Sequence, residues 1–222
     1  MDRALPRPLV EHARAAEEAV PSRPSGSPRR SQFVAVAADL FAAQGFKGTT
    51  VRQIAEAAGV LSGSLYHHFE SKEAILDELL GSYLRDLLAT YRGIAADDAA
   101  PDEVLGALVA AAFDSLARHR AAVTVLQNES QHLRRRARFA YVRAYEREVQ
   151  HLWLDVLNRG IANGTFRRDS DAALIYRFIR DAIWVAVKWF RTEGPLTPAD
   201  LAQHYGALVL DGIRTPRRAP AA

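Results

Sequence analysis

From Arg29 onward, apolar residues return every third or fourth position almost without a break, the spacing of one helix face. In "RRSQFVAVAADLFAAQG", Phe33, Val36, Ala37, Leu40 and Phe41 form such a face, and Gly45 stands where a left-handed C-cap belongs. "TTVRQIAEAAG" follows, with Val51, Ile54, Ala55 and Ala58 on one side. Thr50 and Gln53 are spaced as a capping box, and Gly59 ends this helix. A short helix is predicted from about Ser62 to Phe69. Ser71 caps a longer one through Tyr91, with Ile75, Leu79, Leu80, Tyr83, Leu87 and Tyr91 inward. Pro101 and Asp102 open another, to about His119. "AAVTVLQNESQHL" reads as one more helical piece, and "FAYVRAYEREVQHLWLDVLNRGIANG" as a long helix closed by Gly164. "DAALIYRFIRDAIWVAVKWFR" and "TPADLAQHYGALVLDGI" complete the set. About nine helices and no alternating strand pattern make the fold class all-α.

Composition narrows the class. The chain has 222 residues, enough for one large or two small domains with a real core. Apolar residues make up 49% and charged residues 25%, as in an ordinary folded protein. Without cysteine there are no disulfides or thiolate metal sites, which fits a reducing, cytoplasmic setting. No apolar run approaches the roughly 18 residues of a spanning helix, so no membrane association is expected. The arginines near the start have no apolar run behind them, which argues against a secretory signal. Residues 1–28, rich in Pro, Ser and Arg, read as a disordered tail, and 214–222 as a flexible one. The net charge of +3 permits nucleic acid as a partner without requiring it.

Enzyme chemistry finds little support. His119, His132, His151 and His204 show no metal-ligand spacing on one helix, and Asp97-Asp98 reads as a surface turn. There is no glycine-rich phosphate loop and no evident nucleophile–base pair, so no catalytic residue, metal or cofactor is expected.

The stretch "LSGSLYHHFESKEAI" asks for a different explanation. A helix, a tight turn at Gly59 and a second short helix, with a third packed beneath, make a helix-turn-helix whose second helix enters the DNA major groove. Ser62, Gly63 and Ser64 let the backbone approach the groove. Tyr66, His67 and His68 offer polar tips to phosphates, while Leu65 and Phe69 point back to the core. Lys72 and the cap of Thr50 add flanking phosphate contacts. Thr50 and Ser71 are caps in any case, Arg52 faces solvent or DNA, and His68 has an inward alternative. One such head makes too few contacts for tight specific binding. The expected partner is therefore palindromic double-stranded DNA bound by a homodimer, its heads about 34 Å or a multiple apart.

"FAAQGFKGTTVRQIAEAAGVLSGSLYHHFESKEAIL" resembles the DNA-binding domain of the TetR family of bacterial regulators, through Gly45, Thr49, Thr50, Ile54, Ala55, Ala58, Gly59, Leu65, Tyr66, His68, Phe69, Lys72 and Leu76. The resemblance implies a homodimeric, all-helical repressor. Its reading domain would lie at 29–75 and its ligand-binding and dimerisation domain at 76–213.

In the second domain, Arg177, Arg180, Asp181, Trp184 and Lys188 crowd into an arc of roughly 100° on one helix. They offer cations for an anionic ligand and a ring for stacking. Equally, the helix is a dimer interface anchored by Trp184, with Arg177–Asp181 as a modest surface pair. "RFIRDAIWVAVKWFRTEGPLT", with "RFAYV" and "WLDVLNRGIANGTFR", is similar to the KstR-type branch of TetR regulators, the repressors of steroid (cholesterol ring) catabolism, above all the one serving the late indane-ring steps. That resemblance implies an indane-propionyl-CoA thioester as effector, release from DNA when it binds, and ligand contacts by Arg180 and Trp184. A fatty-acyl-CoA or drug-like ligand is the alternative. "HLRRRARF" departs from the branch, where only Arg138 has a counterpart. Arg134, Arg135 and Arg136 read as a solvated run or as a holder of the charged CoA end.

Overall fold

Pro28 opens the first helix, one residue before the sequence suggests, at a position where its missing N–H costs nothing. The computed structural model describes residues 27–215. The tail expected at 1–28 therefore lies outside the described residues except for Ser27 and Pro28.

Among the described residues the fold is all-helical: α1 (Pro28–Gly48), α2 (Val51–Ala57), α3 (Ser62–Tyr66), α4 (Lys72–Ala95), α5 (Pro101–Arg118), α6 (Arg120–Asn128), α7 (Ser130–Arg134), a 3₁₀ turn (Ala137–Phe139), α8 (Ala140–Asn163), α9 (Ala172–Trp189) and α10 (Pro198–Ile213). That is ten helices against about nine expected. The extra one arises because "AAVTVLQNESQHL" breaks at Glu129, whose φ −98° and ψ 10° stop one helix and start the next.

The caps follow local chemistry. The Thr50 hydroxyl accepts the Gln53 N–H at 3.2 Å, and Gln53 Oε1 accepts the Thr50 N–H at 2.8 Å, closing the expected box. Thr197 and Asp200 repeat it at α10, holding the Asp200 carboxyl below the usual range. Gly45, Gly59 and Gly164 take positive φ. Gly45 is not a left-handed helical cap, however: its φ 79°, ψ 158° is an extended mirror conformation that kinks α1.

Contacts divide the described chain into two units. One comprises the described residues to Leu88 with His119–Glu148; the other comprises Ala89–Arg118 and Val149 onward. In the first, α1 packs on α2 and α6, and α2 on α3. Phe33, Phe41, Ile54, Leu65, Phe69, Ile75, Leu76 and Leu80 are buried there, each contributing about 1.5–3 kcal/mol. On α4, Leu84 and Leu88 are buried while Leu87, expected inward, is only half-buried.

In the second unit α5 packs against α10 and α9 through Val104, Leu105, Leu108, Val109 and Phe113. Trp153 stands between Tyr91 and Tyr176, its centroid 5.7 Å from one and 6.3 Å from the other. Two of the residues expected in a flexible tail are tied down. Arg214 pairs with Asp102 at 2.8 Å, and the Thr215 N–H donates to the Thr165 carbonyl at 3.1 Å.

Candidate DNA interface and ligand face

The turn between α2 and α3 rests on Gly59, whose φ of 69° strains any L side chain although a Cβ there would meet nothing. The Val60 N–H returns to the Ala55 carbonyl at 2.9 Å and leaves Leu61, 85% exposed, at the start of α3. Leu65 and Phe69 are buried, so the opposite edge of the segment faces outward. Tyr66 is 57% exposed and His67 is exposed beside it. Ser62 and Ser64 are half-buried, and Gly63 is exposed with open space where a Cβ would stand. This edge is polar, aromatic and open to close backbone approach, as base and phosphate contact requires.

Two of the residues expected to contact DNA also have partners within the protein. His68 is half-buried, its ring edge-on to Phe33 at 5.2 Å, because it lies one residue before the buried Phe69 and turns with it. Lys72 donates from Nζ to the carbonyls of Phe46 and Thr49, both at 2.6 Å, and lies 4.3 Å from the Phe46 ring centroid. It caps the C-terminal end of α1, where a cation also suits the helix dipole, and one N–H remains for other contacts. Thr50 is exposed with its hydroxyl engaged by Gln53, and Arg52 is exposed in a 2.7 Å pair with Glu56 that raises its pKa.

Sequence reasoning missed Arg30. Its guanidinium lies 4.0 Å from the Phe69 ring centroid, donates to Glu78 at 2.7 Å and also to the His68 carbonyl. It thereby ties the end of the recognition segment to α1 and α4. No local pattern signals a partner 48 residues away.

In the other unit, α9 presents three faces. Tyr176, Ile179, Ala186 and Val187 are buried. Arg177, Arg180, Asp181 and Lys188 are exposed on a second face with Trp184, itself 37% exposed. The anticipated Arg177–Asp181 pair is replaced by Arg180–Asp181, at 2.7 Å, with the Arg180 guanidinium 5.8 Å from the Tyr176 ring centroid. Leu174, Phe178, Val185 and Trp189 form a third face, apolar yet exposed, spanning about 60°. Arg134, Arg135 and Arg136 are exposed, far along the chain from this helix. Among the described residues no group of three or more His, Cys, Asp or Glu is placed to hold a metal, and no helix is long and apolar enough to cross a membrane.

Residues 33–79 match the family of bacterial regulatory proteins of the tetR type, and residues 98–213 match the tetracyclin repressor-like C-terminal domain. The chain belongs to the TetR family. Among TetR relatives, it is 48% identical over 185 residues to the HTH-type transcriptional repressor KstR2 of Mycobacterium tuberculosis, covering 83% of this chain and 92% of that one. KstR2 of Rhodococcus jostii is 44% identical over 190 residues, covering 86% and 93%. The solved structure of the ketosteroid transcriptional regulator KstR2 of Mycobacterium tuberculosis superposes with a TM-score of 0.83 at 46% identity, covering 86% of this chain and 98% of that one. The chain is thus a KstR2-like transcriptional repressor of the TetR type, a DNA-binding regulator rather than an enzyme.

Proposed function

We propose that this TetR-type repressor controls steroid-ring catabolism genes, binds a palindromic operator as a homodimer in the bacterial cytoplasm, and lets go when a CoA thioester occupies its C-terminal domain. The observation that carries the reading is the likeness to KstR2 over nearly all of that repressor's length.

At the operator, Tyr66 and His67 reach the groove edge, with Ser62, Gly63 and Ser64 allowing close approach. Thr50, Arg52, Lys72's remaining N–H and, indirectly, His68 serve the flanks. The exposed apolar stripe of α9 supports dimerisation. Tyr205 on α10 donates from its hydroxyl to the Phe178 carbonyl at 3.3 Å, so α10, with Leu208 73% exposed, lies alongside. The uncovered apolar face of α9, with Leu208 of α10 beside it, suits a two-fold contact with a second copy. For the effector, Arg180, Arg177 and Lys188 supply cations for phosphate or thioester oxygens, and Trp184 a surface for stacking.

Anisotropy titration of labelled fragments from the protein's own upstream region tests the first half. Tight binding that weakens steeply with salt is expected, and a flat salt dependence would contradict it. Adding indane-type steroid CoA thioesters, fatty acyl-CoAs and free CoA to the complex tests the second. Release by the steroid thioester alone supports the assignment. Release only by fatty acyl-CoA replaces it, while leaving the repressor reading intact.

A further inference from the structure

One short run of chain outside the helix-turn-helix holds that motif by both ends. Residues 129–138 leave α6, pass through α7 and enter the 3₁₀ turn. They fall in the span matched by the C-terminal family model, yet they pack in the unit of the reading head. Just before α2, Glu129 Oε1 accepts the Phe46 N–H at 3.0 Å, and the His132 ring lies 5.3 Å from the Phe46 ring. Just after α3, Arg138 donates from Nη1 and Nη2 to Glu70 Oε1, both at 3.2 Å, and from Nε to Asp77 Oδ2 at 3.1 Å.

The two carboxylates that Arg138 joins are unlike. Glu70 is largely exposed, so its pair alone contributes little. Asp77 on α4 has a side chain only 9% exposed, and a carboxylate so far from water needs its cation. Asp77 is therefore the anchor, and Glu70, a few residues past Tyr66, is what the anchored guanidinium holds. Arginine is suited to this because its planar fork fixes both partners at once, which a lysine ammonium does not. Tyr141, buried nearby, donates to the Asp77 carbonyl at 3.2 Å and keeps the 3₁₀ turn against α4. At the other end the Phe46 N–H follows the Gly45 kink, so the Glu129 bond sets the direction in which the chain enters α2.

We propose that Arg138 and Glu129 are positioning residues for the reading head: they hold the ends of the motif in its docking pose, so operator affinity depends on side chains that touch no DNA. The effect on affinity rests on the operator-binding reading above. The effect on the motif's mobility does not.

The test uses the full chain as Arg138→Met, Arg138→Lys, Glu70→Gln, Glu129→Ala and the double variant Arg138→Met/Glu70→Gln. Operator affinity is read by anisotropy over a salt series, and amide hydrogen exchange over residues 61–70 is read without DNA. Arg138→Met and Glu129→Ala are expected to weaken operator binding by roughly threefold to tenfold. The slope of log affinity against log salt stays unchanged, because no phosphate contact is lost. Arg138→Lys falls short of full recovery, and the double variant binds no worse than Arg138→Met alone. Exchange over 61–70 quickens while exchange in α10 does not, which a general loss of stability would not produce. Wild-type affinity in both Arg138→Met and Glu129→Ala overturns the inference. So does a salt slope reduced by about 0.9, the mark of a direct phosphate contact, or full additivity of Arg138→Met and Glu70→Gln. Failure of the wild-type chain to bind any operator defeats the functional reading instead, and the exchange result then decides the inference.

Discussion

The Lys72 ammonium lies 2.6 Å from the carbonyl oxygen of Phe46 and 4.3 Å from the centroid of its ring. A residue expected to serve DNA is thereby also a bolt between α4 and the end of α1. Lys72→Ala is expected to lower stability by about 1–2 kcal/mol in urea denaturation, through two charge-assisted bonds in a half-exposed site. Tyr66→Ala leaves the denaturation midpoint unchanged, since that ring is 57% exposed, but weakens operator binding roughly tenfold per head. Equal stability loss in both variants would contradict the division of roles.

On α9, the exposed Arg180 donates to Asp181 and lies 5.8 Å from the Tyr176 ring centroid. Arg180→Met should leave operator affinity intact while raising the concentration of CoA thioester needed for release by about tenfold, the worth of one charged hydrogen bond. A titration of the preformed complex checks this. A variant that responds like wild type removes Arg180 from the ligand contacts.

Phe178 and Trp189 lie on the exposed apolar face of the same helix. If this face forms the proposed two-fold contact, replacing Phe178 by Asp puts two carboxylates into it and removes about 1.5–3 kcal/mol of burial per copy. Sedimentation velocity should show monomers at concentrations where the wild type is dimeric, with operator affinity falling in parallel. Persistent dimers would show that the contact lies elsewhere.

A methyl group at Gly160 would fall inside the fully buried ring of Phe166, whose own N–H donates to the Gly160 carbonyl at 2.9 Å. Gly160→Ala is expected to cost about 1–3 kcal/mol by overpacking. Adding Phe166→Leu makes room, so the double variant should lose less than the sum of the two. Simple additivity in chemical denaturation would argue against the clash.

Tyr205 packs edge-on to Phe113 at 5.7 Å, and burial pushes its hydroxyl from 10.0 up to about 12. The folded state keeps this proton where the unfolded chain gives it up. Its contribution to stability is therefore complete below pH 10.0 and is lost as pH rises toward about 12. Denaturation midpoints should fall across that window, and fall less in Tyr205→Phe.

The helix-turn-helix was legible because its signals are local. Thr50 and Gln53 are one helical turn apart, Gly59 is the residue a positive φ demands, and the alternation of Leu65 and Phe69 with Tyr66 and His67 sorts inside from outside. For His68 the sequence left an inward and an outward reading open, because adjacency to outward rings says nothing about the Phe33 ring that its imidazole meets. The α9 helix shows the limit of periodicity. Its spacing separates charged from apolar positions, but Ile179 and Phe178 look alike in sequence, although one lies in the core and the other is uncovered.

By itself the sequence determined the all-helical class, the Thr50–Gln53 capping box, the reading motif and the kinship with TetR regulators, because each rests on residues within a turn or two of one another or on a long run of matched types. Only the tertiary structure decided what Lys72, Arg30, Glu129 and Arg138 hold, since their partners stand 26, 48, 83 and 68 residues away. Long side chains choose among distant carbonyls and carboxylates only once packing has brought those groups within about 3 Å, and no spacing along the chain records that choice.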